Sequence, residues 1–314
     1  MSSLPVSPVL KNVSKRYASS SVALMLFASL LFASMTVIAK QLSGRFDAVE
    51  LVFFRNVIGV ASILISVRQR PFRHTGGRLG LLVFRGVVGT ASLYTLFFAV
   101  RTLPLGTASA YQYTYPIFLS LLSFFILGEK LNVREWTAIG LGFAGILFIF
   151  RPDVTMPLRW HLIGLTCALL TAVSYLSIRG LKTYYDTRAI VLSFMLSGML
   201  LPIISMAAGH FLPDSHSIFL GRFVWPEGWE WLVLLAMGFA ALLGQLAMTR
   251  SLGMDKAGRV SAVGYSNIVF SLIFGLILGD PFPSWLMLLG VALIMTGGVL
   301  IAWKRKPEEP HGEG

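Results

Sequence analysis

The stretch SAYQYTYPIFLSLLSFFILGEK, from Ser109 to Lys130, combines the length of a membrane span with an unusually polar first half. A spanning helix needs about 20 mostly apolar residues, and this stretch provides them. Its first half nevertheless holds three tyrosines, a glutamine, a threonine and the helix breaker Pro116. A helix that only crosses lipid has no use for such groups, so we expect a transmembrane helix with a functional surface.

The composition of the whole chain is that of an α-helical membrane protein. Of its 314 residues, 55% are hydrophobic and 13% are charged, and the mean hydropathy is +0.75; soluble domains are far more polar. The net charge of +12 does not indicate nucleic-acid binding, because the basic residues lie in short loops between apolar runs, where they orient membrane proteins. The single cysteine, Cys167, excludes a disulfide within the chain and a thiolate metal cluster.

Ten segments are apolar and long enough to predict an all-α integral membrane fold with ten transmembrane helices. They are approximately Ser21–Ala39, Glu50–Val67, Leu79–Val100, Thr107–Leu127, Glu135–Phe150, Leu158–Ile178, Ala189–Ala208, Trp229–Met248, Val260–Leu278 and Ser284–Trp303. The first segment also has the basic flank of a secretory signal peptide. It continues to Lys40 without a small-residue cleavage site, however, so we predict that it is retained as a span.

The basic residues predict the orientation of these spans. With a cytoplasmic N-terminus, the inner segments carry 18 lysines and arginines and the outer segments carry 6. Because cytoplasmic loops are enriched in positive charge, we expect both termini to be cytoplasmic. The predicted location is the inner membrane of a bacterium.

An internal repeat relates the two halves of the chain. The segments SAYQYTYPIF (Ser109–Phe118) and SAVGYSNIVF (Ser261–Phe270) align without gaps, and both lead to an ILGE or ILGD ending. The first helices also align, with Lys40 opposite Arg179. Apolar segments always resemble one another to some degree, but these matches occur in order along several helices, which favours a true repeat.

The repeat predicts two units of five helices, at 21–152 and 158–303, between a cytoplasmic N-terminal segment, 1–20, and a cytoplasmic tail, 304–314. Because five is odd, the second unit must enter the membrane in the opposite orientation. Inverted repeats with a binding site at their interface are a hallmark of secondary transporters.

Short motifs at the ends of several predicted helices form a further pattern. They are Lys40-Gln41-Leu42, Glu50 with Arg55-Asn56, Arg85-Gly86, Ala99 to Pro104 followed by Ala108, Pro116, Leu127 to Leu131, and Arg151-Pro152. As a set, they resemble the EamA-type members of the drug/metabolite transporter superfamily. The resemblance covers about residues 21–304 and implies a ten-helix transporter with two tandem EamA units and a central cavity.

The second unit departs from the family pattern at two places. Asp280 stands where a glutamate is usual, and Asn267 or Ile268 stands where the first unit has Pro116. The family carries many unrelated metabolites, so the resemblance does not name the substrate. The first half is most similar to members that transport riboflavin or S-adenosylmethionine.

Polar side chains within the spans are the candidate substrate contacts. Tyrosines offer flat apolar faces with polar tips, which suits an aromatic or amphipathic compound such as an amino acid, a nucleoside-like molecule or a vitamin. The candidates are Tyr94, Tyr111, Gln112, Tyr113, Tyr115, Pro116, Tyr175, Gln245, Tyr265, Ser266 and Asn267, with Ser92, Thr95, Thr171 and Ser174 beside them. The alternative is packing, because hydroxyls and amides also hydrogen-bond between helices for about 0.6 kcal/mol each.

Arg55 and Arg85 lie within predicted spans and are candidate contacts for an anion. A guanidinium group binds carboxylate or phosphate through two parallel hydrogen bonds. Alternatively, each arginine snorkels, Arg55 to the outer surface and Arg85 to the inner one.

We interpret the chain as a secondary transporter, an importer or an exporter, that works by alternating access around a cavity between helices 3, 4, 8 and 9. No carboxylate lies near the middle of a span, which favours a facilitator, an exchanger or weak coupling. The partners expected are a small molecule and the lipid bilayer, with no nucleic acid, cofactor or metal; the oligomeric state stays open. A channel or a non-transport membrane enzyme is the alternative.

Overall fold

The computed structural model describes residues 8–72, 76–128, 133–150, 157–211, 219–254 and 263–302. In these residues every regular element is a helix. The helices are α1 (Pro8–Leu42), α2 (Ala48–Gln69), α3 (Leu79–Thr102), α4 (Leu105–Gln112), α5 (Tyr115–Leu127), α6 (Val133–Phe150), α7 (Leu158–Leu181), α8 (Thr187–Phe211), α9 (Glu230–Met254), α10 (Ser266–Ile277) and α11 (Trp285–Ala302). The predicted tail, 304–314, and Glu129 lie outside the described residues.

Six of the helices are long and apolar enough to cross a membrane, namely α1, α2, α3, α7, α8 and α9. Shorter apolar stretches lie in α6, α10 and α11. This all-helical, strongly apolar architecture is that of an integral membrane protein. At the N-terminus, α1 begins at Pro8 and therefore extends into the predicted N-terminal segment.

The fourth predicted span is not one helix, and this differs from the continuous Thr107–Leu127 helix that the sequence predicted. It consists of α4 and α5, which are separated by a turn at Tyr113 and Thr114. The ninth predicted span is interrupted in the same way, because Tyr265 forms a turn directly before α10. The breaks fall on residues that align in the two repeats.

The contacts between helices follow a pattern of pairs. Helix α1 packs against α9 and α10, and α7 packs against α3, α4 and α5; α2 packs against α9, and α8 against α3. The remaining large contacts join α2 to α8, α4 to α10 and α6 to α11. Suppose that α1 corresponds to α7, α2 to α8, α3 to α9, α4 and α5 to α10, and α6 to α11. Each of the contacts named above then has a counterpart or is its own counterpart.

Glycines allow α6 and α11 to pack closely. A Cβ atom on Gly145 would lie 2.6 Å from the carbonyl oxygen of Gly290, and one on Gly297 would lie 2.7 Å from that of Ala138. Both distances are too short for a real contact, so only glycine permits this approach of two helix backbones.

The bundle has two ends, which we name after equivalent aspartates. The Asp47 end comprises segments 43–47, 103–104, 219–229 and 278–284, and the Asp186 end comprises 70–72, 76–78 and 182–186. Asp47 directly precedes α2 and Asp186 directly precedes Thr187, the first residue of α8. With the offset that aligns Lys40 with Arg179, the two aspartates are equivalent.

Candidate functional site

The break between α4 and α5 follows from local sequence. Helix α4 ends at Gln112, and the hydroxyl of Thr114 donates a hydrogen bond to the carbonyl of Tyr111 at 2.7 Å. Threonine favours such local bonds over continued helix. Pro116 is the second residue of α5, where its missing N–H costs nothing, because the first helical turn has no internal acceptor for it.

The break places a cluster of tyrosine rings at the centre of the bundle. The ring centroid of Tyr113 lies 6.4 Å from that of Tyr265 at the second break and 5.9 Å from that of Tyr115. Tyr115 in turn meets Tyr175 of α7 edge to face at 5.0 Å. These separations are those of favourable aromatic pairs, so the cluster joins both halves of the chain.

A cavity lies beside this cluster, with about 690 Å³ of space when its open part is included. Eight of the sequence-predicted candidates line it, and five do not. Those that line it are Arg55, Arg85, Gln112, Tyr113, Tyr115, Tyr175, Gln245 and Asn267, together with Ser92, Thr171 and Ser174. The lining therefore combines cationic, aromatic and amide side chains from both halves of the chain.

The five other candidates lie outside the cavity lining. Tyr94 is hydrogen-bonded to Ser205 at 3.2 Å, and Tyr111 is hydrogen-bonded to His161. Pro116 and Ser266 are first-turn residues of α5 and α10, and the ring of Tyr265 contacts that of Tyr113 at an interplanar angle of 53°. The hydroxyls of Tyr265 and Ser266 are buried without a hydrogen-bond partner among the described residues.

Several polar residues of the cavity wall also hold helices together. The hydroxyls of Ser92 and Thr171 are 2.6 Å apart and connect α3 to α7. The amide of Asn267 donates to the carbonyl of Ser29 at 2.8 Å and so connects α10 to α1. Each of these three residues therefore lines the cavity and also connects two helices.

Arg55 and Arg85 do not snorkel, and this corrects the alternative that the sequence left open. They enter from opposite ends, each about 10 Å along its helix, yet both guanidinium groups reach the same ring. The Cζ atoms of Arg55 and Arg85 lie 5.5 Å and 4.7 Å from the centroid of Phe194. The two residues are 2% and 1% exposed, so both side chains point inward.

The hydrogen-bonding capacity of these arginines is largely unused. Arg55 Nε donates to the sulfur of Met35 at 3.2 Å, which is a weak acceptor. Arg55 Nη1, Arg85 Nε and Arg85 Nη1 are buried and have no partner among the described residues. Gln245 Nε2 is in the same state. Four unpaired donors therefore belong to residues that line one cavity.

Energetics make this arrangement unusual. Burying an ion costs several kcal/mol even after relaxation, whereas a cation–π contact such as that with Phe194 returns about 0.5–2 kcal/mol. Among the described residues lining the cavity, none is an aspartate or a glutamate. The cavity thus holds two positive charges that the ring alone does not compensate.

The apolar residues of the cavity wall are not among the candidates that the sequence indicated. Met25, Phe32 and Met35 of α1 and Phe194 of α8 line it, but a methionine or phenylalanine in a span looks like any lipid-facing residue. One signal was available for Phe194. With the offset that aligns Lys40 with Arg179, Phe194 is the counterpart of Arg55.

Ion pairs hold the Asp47 end together. Lys40 forms an ion pair with Asp280, whose other carboxylate oxygen accepts the backbone N–H of Leu105 at 2.8 Å. Arg101 pairs with Asp47 at 2.9 Å. Arg45 pairs with Glu227 at 2.8 Å and Glu230 at 3.2 Å, and buried Glu50 accepts the N–H of Val224 at 2.7 Å. These contacts tie α1, α2 and α4 to segments of the second half, and they tie α3 to the residue directly before α2.

Comparison with known proteins identifies relatives over almost the whole chain. The model of the EamA-like transporter family matches residues 19–151. An uncharacterized transporter of Helicobacter pylori is 30% identical over 292 residues, covering 90% of this chain and 94% of that protein. The pseudopaline exporter CntI of Pseudomonas aeruginosa is 29% identical over 288 residues, covering 91% of this chain and 97% of CntI.

A solved structure supports the fold independently. One crystal structure superposes with a TM-score of 0.62 at 23% sequence identity, covering 90% of this chain and 96% of that chain. At that identity the likeness concerns the fold alone.

Proposed function

Since the chain belongs to the EamA-like transporter family, of the drug/metabolite transporter superfamily, we propose that it is a secondary transporter that moves a small metabolite by alternating access. Membrane transport itself follows from the family and its relatives, which are transporters rather than enzymes. The direction, the mechanism and the substrate class are the proposed parts.

One observation carries the proposal: a cavity whose polar and aromatic walls come from both halves of the chain, beside two equivalent helix breaks. Tyr113 and Tyr265, which occupy these breaks, are in contact. In transporters, broken helices at the interface of two repeats mark the substrate site, because free backbone groups and polar side chains meet there. The cluster of Tyr113, Tyr115 and Tyr175 suits an aromatic or amphipathic compound.

The paired helix contacts support a ten-span architecture of two inverted five-helix repeats. In this proposal α4 and α5 together form the fourth span, and α10 with the residues before it forms the ninth. Both termini are proposed to be cytoplasmic, because the positive charges concentrate on that side. The Asp47 end then faces outward, and its ion pairs break and re-form as the two units rock.

Flux from proteoliposomes tests the proposal. The purified protein would be reconstituted into liposomes loaded with a mixture of amino acids, nucleosides and water-soluble vitamins, and the external medium analysed by mass spectrometry. We expect one compound class to leave faster than from protein-free liposomes, at a rate that saturates with concentration. Unsaturable flux would indicate a channel, and a chemically changed product would indicate an enzyme.

A matched pair of tyrosine variants ties that flux to the cavity. Tyr115 lines the cavity, whereas Tyr94 is equally buried but outside it. Tyr115→Ala should reduce flux by about threefold to tenfold, the value of a lost aromatic contact, and Tyr94→Ala should not, at equal amounts of folded protein. Equal rates in both variants would remove the tyrosine cluster from the site.

A further inference from the structure

The cavity contains two guanidinium groups and, within its described lining, no acidic side chain. Arg55 and Arg85 reach it from opposite ends of the bundle and meet at Phe194. Three of their nitrogen atoms have no hydrogen-bond partner among the described residues. A guanidinium fork matches the two oxygens of a carboxylate or phosphate. Among the described residues that line the cavity, only Arg55 and Arg85 offer this geometry.

We infer that the transported compound is a small organic acid, whose carboxylate or phosphate is bound by Arg55 and Arg85. This inference rests on the proposed transport function and names the substrate class of the same cavity. The anion supplies a negative charge that none of the described lining residues places beside the two arginines. Binding of the acid satisfies donors that are otherwise buried and unpaired.

The remaining wall indicates an organic rather than an inorganic anion. Around the arginines the cavity is lined by the rings of Tyr113, Tyr115 and Tyr175 and by apolar side chains such as Phe32 and Leu96. Chloride or inorganic phosphate gains nothing from such surfaces. An acid with an apolar or aromatic body buries that body against them.

The amides of Gln112 and Gln245 add further polar groups to the cavity wall. Gln245 Nε2 is buried without a partner in the described part of the chain, and Gln112 lies at the end of α4, where the helix stops. Either side chain can donate to a carbonyl or hydroxyl on the body of the acid. These amides and the guanidinium groups together offer the acid more than one polar contact in the same cavity.

Matched probe compounds test the charge requirement. The purified full chain in detergent would be melted in the presence of phenylacetate, phenylacetamide and phenethylamine, and of the corresponding indole set. Phenyl phosphate is added as the phosphate counterpart. Because a ligand stabilises the form that binds it, we expect the acids to raise the melting temperature and the amides and amines not to.

Three variants locate the effect. Arg55→Gln and Arg85→Gln should each weaken the stabilisation by acids by about tenfold or more in concentration, since each loses charge-assisted hydrogen bonds. Arg188→Gln is the matched control, because Arg188 lies at the Asp186 end and bonds to Asp186 and backbone oxygens. It should retain the response of the wild type.

The melting temperature of each variant without ligand shows whether the arginines have a purely structural role. If the arginines serve the anion, removing an uncompensated buried charge leaves the ligand-free melting temperature unchanged or higher. If they serve packing, both Arg→Gln variants melt lower in the absence of any compound. The second result contradicts the inference, even where a variant folds poorly.

The other outcomes also decide the question. Equal stabilisation by amides or amines, no stabilisation by any acid, or equal stabilisation by sodium phosphate or sodium chloride alone each contradicts an organic-acid site. The parallel flux measurement separates the two proposals. Flux of neutral or cationic compounds alone would support the transport function and contradict the organic-acid inference. Binding of acids without flux of any compound would support an acid-binding site and contradict the transport function.

Discussion

The cations at the Asp47 end and the cations at the centre of the bundle are held in opposite ways. Lys40, Arg45 and Arg101 are partly exposed, and each faces a carboxylate. Arg55 and Arg85 are almost fully buried, and both guanidinium groups lie over the ring of Phe194, with no ion pair to a carboxylate among the described residues. The partly exposed cations of the Asp47 end are therefore paired with carboxylates. The two buried arginines have no carboxylate among the described residues that line the cavity.

This difference separates structure from function. A pair at a helix end fixes the position of that end, and it contributes modestly because water already screens both charges. A buried cation without an anion costs several kcal/mol of stability, and the anionic substrate inferred above would offset that cost. On this inference, the arginines at the centre of the bundle serve ligand binding, whereas the ion pairs at the Asp47 end serve to hold the helix ends in place.

Replacing the ring that both arginines share should have the largest effect. Phe194 is buried and packs into the main core, so Phe194→Ala should lower the free energy of unfolding by about 3–5 kcal/mol. Phe194→Leu keeps most of the volume but loses the π face, and its smaller cost would isolate the cation–π part. Denaturant titration in mixed micelles measures both. Equal stability of Phe194→Leu and the wild type would show that the ring serves only as volume.

Breaking an ion pair at the Asp47 end should have an intermediate effect. The side chains of Lys40 and Asp280 are 22% and 14% exposed, so their coupling should lie between that of surface and buried pairs, at about 1–2 kcal/mol. A double-mutant cycle of Lys40→Met and Asp280→Asn measures it. Stabilisation by ligands should be unchanged in both variants. A variant that lost that stabilisation would move part of the binding site to this end.

A third substitution tests the Asp186 end. Arg188 binds Asp186 at 3.1 Å and the carbonyl oxygen of Arg70 at 2.8 Å. The side chains of Arg188 and Asp186 are 24% and 21% exposed, slightly more than those of Lys40 and Asp280, so Arg188→Gln should cost about 1 kcal/mol. The same titration measures it, with the wild type as reference. A cost as large as that of Phe194→Ala would contradict the view that the charges at the ends are secondary.

The smallest effect is expected from the buried carboxylate Glu50. It lies in the first turn of α2, bonded to the N–H of Val224, and it is absent from the cavity lining. If the protein is a facilitator or an exchanger, an imposed pH gradient should not change its flux, and Glu50→Gln should behave in the same way. A pH-driven flux that survives replacement of Glu50 and of Glu129 would overturn this expectation.

Much of the fold could be predicted from sequence because a bilayer imposes simple rules. Length and hydropathy identify spans, and the main helix contacts occur in pairs that the predicted repeat would relate to each other. The glycines of the ILGE and ILGD endings are also explained. Gly128 and Gly279 have φ values of 65° and 88°, which favour glycine after a helix.

The candidate site was predictable only in part. Gln112, Tyr113 and Tyr115 line the cavity, and they are conspicuous in the sequence because polar groups in a span are costly. Tyr94 and Tyr111 look the same in the sequence, but their hydroxyls meet Ser205 and His161 instead. The face of a helix that a tyrosine occupies depends on how that helix is rotated against its neighbours, and spacing along one chain does not fix this.

The sequence by itself determined the membrane class, the family resemblance and the presence of two arginines within spans, and it predicted a repeat. The tertiary structure alone decided where those arginines point. Snorkelling and binding differ only in the direction of a long side chain, and that direction depends on what lies beside it. Here Phe194, distant in sequence, provides a ring between the two charges, and the packing of α2, α3 and α8 around it makes the centre the place where an anion is needed.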